Sequence, residues 1–130
     1  MLWTTSALIS AQSSAPATGG LYQTTQADRG HVLFERMCAR CHGSDLGGNE
    51  PSEVPALTGD TFQMHWADGT VGDVFDKIVN TMPADMPRSL GQADAVEILA
   101  YVLQQNRYAA GPDALLASPA DRARRIERLR

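Results

Sequence analysis

Three stretches of the chain carry apolar residues at helical spacing, and no stretch shows the alternation of a strand. Val32, Leu33, Phe34 and Met37 predict a first helix that begins near Thr25 or Gln26, with Thr25 and Asp28 in the Thr-x-x-acid arrangement of a helix start. Gly30 falls inside that pattern at a cost of about 1 kcal/mol against alanine, which makes sense if a second helix must approach closely there. Val71, Val74, Phe75 and Ile78 predict a short helix over Val71–Asn80, capped by Thr70. Val96, Leu99, Ala100 and Leu103 form the stripe of the longest helix, opening at Ser89 or Leu90 and reaching about Asn106. Between these, Gly43–Pro55 reads as a loop broken by glycines and prolines, with Asp45, Glu50 and Glu53 solvated, and Thr81–Pro87 as a proline-pinned loop. The fold class is all-α.

The two ends differ from this body. Residues 1–25 carry no charge and read as a leader. Leu2–Ala11 is a weak apolar stretch, and Ala15-Pro16-Ala17 resembles a cleavage site, but the basic start of an export signal is missing. An atypical signal peptide and an unstructured leader are both open; the first is preferred. Gly111-Pro112 closes a domain over residues 26–111, leaving residues 112–130 as an arginine-rich tail. There Ser118-Pro119-Ala120-Asp121 has the form of a helix start, so the tail is expected to be helical. Arg122, Arg124, Arg125, Arg128 and Arg130, against Asp121 and Glu127, put +3 on the last ten residues of a chain with net charge −4. Such a tail is a solvated helix, or a basic docking element for an acidic partner or surface.

Composition narrows the function. A chain of 130 residues allows one core. A net charge of −4 argues against a nucleic-acid partner. No apolar run approaches the ~18 residues of a membrane span. Aromatic residues make up only 6% of the chain, a thin supply for a core of this length. Something other than side chains is expected to fill it.

The chemistry lies in the cysteines. Cys38 and Cys41 are the two in the chain, and His42 follows directly, forming one C-x-x-C-H. This is the attachment signature of c-type haem: two thiols three apart reach the two vinyl groups, and the adjacent histidine is held under the iron. A redox dithiol or a zinc half-site uses the same spacing. The first wants a βαβ context and the second wants four ligands, while His31 and His65 are the remaining histidines.

With that motif, with Gly30–Cys38 upstream of it like the family's first helix, with Pro55-Ala56-Leu57-Thr58-Gly59, and with Ile98–Val102, the sequence resembles the class I, single-haem c-type cytochromes over about Asp28 to Gly111. The resemblance implies three to four helices wrapped around one covalent haem c. It implies that the Pro55 carbonyl accepts a hydrogen bond from His42, that Leu57 packs on the ring, and that the final helix crosses the first at Gly30. A closer similarity is to cytochrome domains that accompany quinoprotein alcohol dehydrogenases. It rests on Leu57–Phe62, Trp66–Thr70, Thr81-Met82-Pro83, Pro87 and Ser89-Leu90. It implies Met82 as the sixth iron ligand, with Met86 the alternative, and Trp66 near a haem propionate. Met37 and Met64 are expected to be packing residues, a bis-histidine site with His65 is disfavoured, His31 faces solvent, and Arg40 lies at the exposed haem edge.

The expected function is a soluble, periplasmic electron carrier cycling Fe(II)/Fe(III) with His42/Met82 ligation, and not an enzyme. Its partners are redox proteins, with a quinoprotein dehydrogenase as candidate donor and an oxidase or another cytochrome as acceptor. Lys77 is the sole lysine, so a lysine-ringed docking face is absent. The alternatives are an open-site haem enzyme or a gas or peroxide sensor, and a fixed relay subunit of a dehydrogenase complex.

Overall fold

A computed structural model describes residues 19–130. Among these described residues six α-helices follow one another: α1 (Thr24–Met37), α2 (Ala39–His42), α3 (Gly59–Trp66), α4 (Val71–Thr81), α5 (Gln92–Gln105) and α6 (Pro119–Arg122), with a 3-10 turn at Glu50–Ser52. Among the described residues extended pairing is limited to isolated bridges. The all-α expectation holds. Leu2–Ala11 and Ala15-Pro16-Ala17 lie outside the described residues.

The core is the crossing of α1 and α5. Ala27 and Phe34 from α1 meet Ala95, Leu99 and Leu103 of α5, all fully buried. Gly30 lies where the helices come closest: a Cβ built there would fall 1.8 Å from the Glu97 carbonyl oxygen. A salt bridge of 2.7 Å from Arg29 to Glu97 spans the same crossing. The glycine that weakens α1 as an isolated helix is what allows the packing.

Several boundaries shift. Gln23, not Thr25, takes the N-cap of α1, without a side-chain cap bond. The cap residue's amide instead donates to Pro112 O (2.7 Å), and buried Gln26 exchanges two bonds with the Leu115 backbone. α5 opens at Gln92 rather than Ser89 or Leu90. Residue 22, expected to belong to a leader over residues 1–25, is part of the packed body: Tyr22 is buried and its hydroxyl donates to Tyr108 O at 2.7 Å. α3 lies in a stretch whose pattern predicts no helix. Phe62 is its single buried side chain, too little to write a period into the sequence.

The tail is the largest correction. Ser118 caps as expected, accepting from the Asp121 N–H, but the helix lasts only over Pro119–Arg122. The chain then runs extended beside the α3–α4 turn, with Asp68 N–H donating to Ile126 O, Ile126 N–H to Gly69 O and Val71 N–H to Arg124 O (2.8–2.9 Å). In an extended strand alternate side chains face opposite ways. Ile126 is thereby fully buried while Arg125 and Glu127 stay outside. Burial of one isoleucine and satisfaction of the turn's donors outweigh helix propensity.

α4 begins as expected, with a complete capping box: Asp73 N–H donates to Thr70 Oγ1 and Thr70 N–H to Asp73 Oδ2 (2.8 Å). The bond from the Thr70 backbone, with help from its hydroxyl, holds the Asp73 carboxyl below its ordinary 3.8. Thr70→Ala is expected to cost about 1 kcal/mol. A depressed folded pKa gives stability that is complete above the unfolded value and fades as pH falls through the folded one. Urea unfolding should therefore show a gap between wild type and Asp73→Ala that is constant above pH ~4 and narrows below it. A gap that persists unchanged in stronger acid would contradict this role.

Candidate functional site

Cys38, Cys41 and His42 occupy one turn because α1 stops at Met37 and the chain re-enters a helix at once. Cys38 is at once the C-cap of α1 and the N-cap of α2, and its carbonyl accepts from the N–H groups of Cys41 and His42 (3.1 and 2.9 Å). Gly43, at φ 79°, ends the turn. Both thiols are free, Cys38 half-buried and Cys41 exposed. Burial, reinforced by Cys41, pushes the Cys38 thiol up to about 11. Among the described residues no group of three or more His, Cys, Asp or Glu is placed to hold a metal ion.

His42 is buried, and its Nδ1 lies 3.0 Å from Pro55 O. A carbonyl can only accept, so Nδ1 bears a proton, and in the neutral ring Nε2 is the nitrogen with the lone pair. The intervening loop folds back to make this contact: Gly48 N–H donates to His42 O (2.7 Å), and Leu57 N–H to the carbonyl of buried Leu46 (2.8 Å). Gly48 has φ 73°, and a Cβ there would fall 2.4 Å from Val54 O. Glycine is required at that close approach. Asn106, from the end of α5, donates to Leu57 O at 2.8 Å and so pins the Pro55–Leu57 segment to the body. Neither Asn106 nor Leu46 stands out in the sequence, where each is one polar or one apolar residue among many.

Met82 is the C-cap of α4, half-buried, with its N–H still donating to Ile78 O at 3.1 Å. Met86 is 62% exposed and Met64 71% exposed. Exposure of Met64 contradicts the packing role expected for it, since α3 turns Phe62 inward instead. Met37, Leu57, Trp66, Ile78 and Val79 pack on the core while remaining partly uncovered. The apolar side chains in the segments marked by the motif are thus incompletely covered by protein, as a site that receives a flat apolar group requires.

Arg40 pairs with Asp85, and its guanidinium, chiefly through their hydrogen bond, holds that carboxyl below the usual range. His31 is exposed as expected and stacks on Tyr101 with ring centroids 4.6 Å apart. His65 Nδ1 donates to Thr61 O within its own helix (2.8 Å). In the tail, Arg122 binds both Asp76 oxygens (2.7 and 2.8 Å), Arg124 and Arg125 donate to the carbonyls of Gly20 and Asp68, and Arg128 pairs with Asp68. Four of the five arginines are thereby engaged with the body.

Compared with known proteins, residues 25–102 match the family described as cytochrome c oxidase, cbb3-type, subunit III. No curated protein matches. Among solved structures, the chain is similar to the sulfane dehydrogenase SoxCD from Paracoccus pantotrophus, with 25% identity and a TM-score of 0.49. That similarity covers 64% of this chain and 44% of the other. Among the described residues no helix is long and apolar enough to cross a membrane.

Proposed function

Because the chain belongs to the family of cytochrome c oxidase, cbb3-type, subunit III, and is a class I c-type cytochrome with a haem-based electron-transfer role, we propose that it is an exported carrier of single electrons, holding one covalent haem c between His42 and Met82. Cys38 and Cys41 would supply the thioethers. Leu57 would pack on the ring and the Trp66 indole N–H would donate to a propionate.

The observation that carries this reading is the His42–Pro55 hydrogen bond. A metal-binding histidine is oriented by the bond its other nitrogen makes. Pro55 fixes the ring and its tautomer, which leaves Nε2 as the ligand atom. Cys38 stands at a helix junction beside it, where its S–H would add across a vinyl group of the ring. When bound, the haem supplies a one-electron couple whose potential follows its axial ligands. A thioether from Met82 would favour the ferrous form, and the exposure of Cys41 would leave that side open to a redox partner. A redox protein is the corresponding partner; a quinoprotein dehydrogenase donor and an oxidase acceptor are the candidates, in the periplasm.

Visible spectra of the oxidised and reduced protein with a pyridine haemochrome assay test this reading. One haem per chain, resistant to acid–acetone extraction, is expected, and the Cys38→Ser/Cys41→Ser variant should release it. Wild-type haem that extracts freely would overturn covalent attachment.

A further inference from the structure

Resting on the His42/Met82 reading, we propose that Arg40 is a positioning residue whose ion pair with Asp85 clasps the Met82–Pro87 loop to the Cys38–His42 turn and keeps Met82 seated. The pair joins residues 45 positions apart, one in each ligand-bearing segment: Arg40 stands between the two cysteines, and Asp85 lies between Met82 and Met86. The loop has little else to hold it. Residues 84–89 are all exposed, and the next buried side chain is Leu90. Backbone bonds here are local, Met86 N–H to Pro83 O (2.9 Å) and Ser89 N–H to Met86 O (3.3 Å). Among the described residues, the hydrogen bond that ties 83–89 to a distant part of the chain is the one from Arg40.

An exposed ion pair contributes little to the stability of a whole domain, with 72% and 55% of the two side chains accessible here. Local opening is another matter. A loop with no other distant hydrogen bond among the described residues opens more readily when that one is lost, while the α1–α5 core stays intact. Methionine dissociation requires this loop to move. Its frequency is then set at the surface, by a contact between two residues that are not themselves iron ligands in this reading.

Entry of imidazole, a neutral ligand, into the ferric holoprotein reads this opening, because the ligand binds only when Met82 has left. Arg40→Gln and Asp85→Asn should each raise the observed association rate about two- to fivefold, as expected for loss of an exposed pair. These variants change the net charge in opposite directions, yet a clasp predicts the same direction for both. The exchanged pair Arg40→Asp/Asp85→Arg should return the rate towards wild type. Raising the salt to about 1 M, where the screening length falls to about 3 Å, should speed the wild type and leave the single variants nearly unchanged.

Rates that do not move, or that move oppositely in the two single variants, would overturn the clasp; the second result would mark Arg40 as acting through its field. The underlying ligand reading fails separately. A ferric wild type without the far-red methionine charge-transfer band removes the axial methionine itself, whereas a wild type with that band and insensitive variants removes only the clasp.

Discussion

Met82→Ala is expected to abolish the far-red methionine-to-iron charge-transfer band of the oxidised protein, while Met86→Ala keeps it. Both residues precede a proline in the same loop, and sequence spacing leaves both in play. Their positions differ. Met82 is anchored as the C-cap of α4 through its N–H to Ile78 and is half-buried. Met86 follows a turn closed on Pro83 and is largely exposed. A sulfur on the C-cap residue of a packed helix is held with less loss of freedom than one on an exposed turn, because the helix has already fixed its backbone. Loss of the thioether should also lower the reduction potential, by a sizeable part of the roughly 0.8 V that axial ligands span. Carbon monoxide should bind the reduced Met82→Ala protein rapidly and the wild type slowly. The reverse pattern between the two variants would transfer the ligand role to Met86.

The second large effect is expected at the helix crossing. Gly30→Ala should destabilise the protein by about 3 kcal/mol, although alanine gains about 1 kcal/mol of helix propensity there. The added Cβ would stand 1.8 Å from Glu97 O and 2.5 Å from its carbonyl carbon. Those are main-chain atoms of α5, so relief requires α5 to move away from α1. Separation would open the contacts of Phe34, Leu99 and Leu103, each fully buried. Gly91→Ala is the control, since a Cβ there meets nothing within 4 Å. Gly91 is the N-cap of α5, where alanine is the poorer residue, so this variant should lose no more than about 1 kcal/mol. Urea unfolding of the holoproteins measures both; a Gly30→Ala protein as stable as Gly91→Ala would show that the helices can separate at no cost.

Much of the site is written locally, and local features are what a sequence displays. Cys38, Cys41 and His42 form one turn because α1 ends beside them, and no distant contact is needed to bring the three together. Pro55 is different. Its similarity to the family's turn implies a bond to His42, but the bond exists because Gly48 lets the loop reverse and because Asn106 and Leu46 pin Leu57 from elsewhere. Asn106 comes from the far end of α5, so no spacing in the sequence announces it. The α3 helix was illegible for a related reason: its one buried residue, Phe62, gives a point rather than a period.

The arginine tail marks the limit most clearly. Its charge is visible in the sequence, as is its helix start at Ser118, and both suggest a basic helix free to meet a partner. Ile126 decides otherwise, because an extended path buries it and supplies acceptors to the donors of Asp68 and Val71.

By itself, then, the sequence determined the helical class, the attachment turn, the capping box of α4 and the need for glycine at residue 30, since each depends on residues within a few positions of one another or on a lone departure from helix propensity. Only the tertiary structure decided which methionine is anchored, how His42 is oriented, where the arginines go and what ties the Met82 loop to the Cys38–His42 turn. Those depend on groups tens of residues apart, and what joins them is the geometry of the packed core.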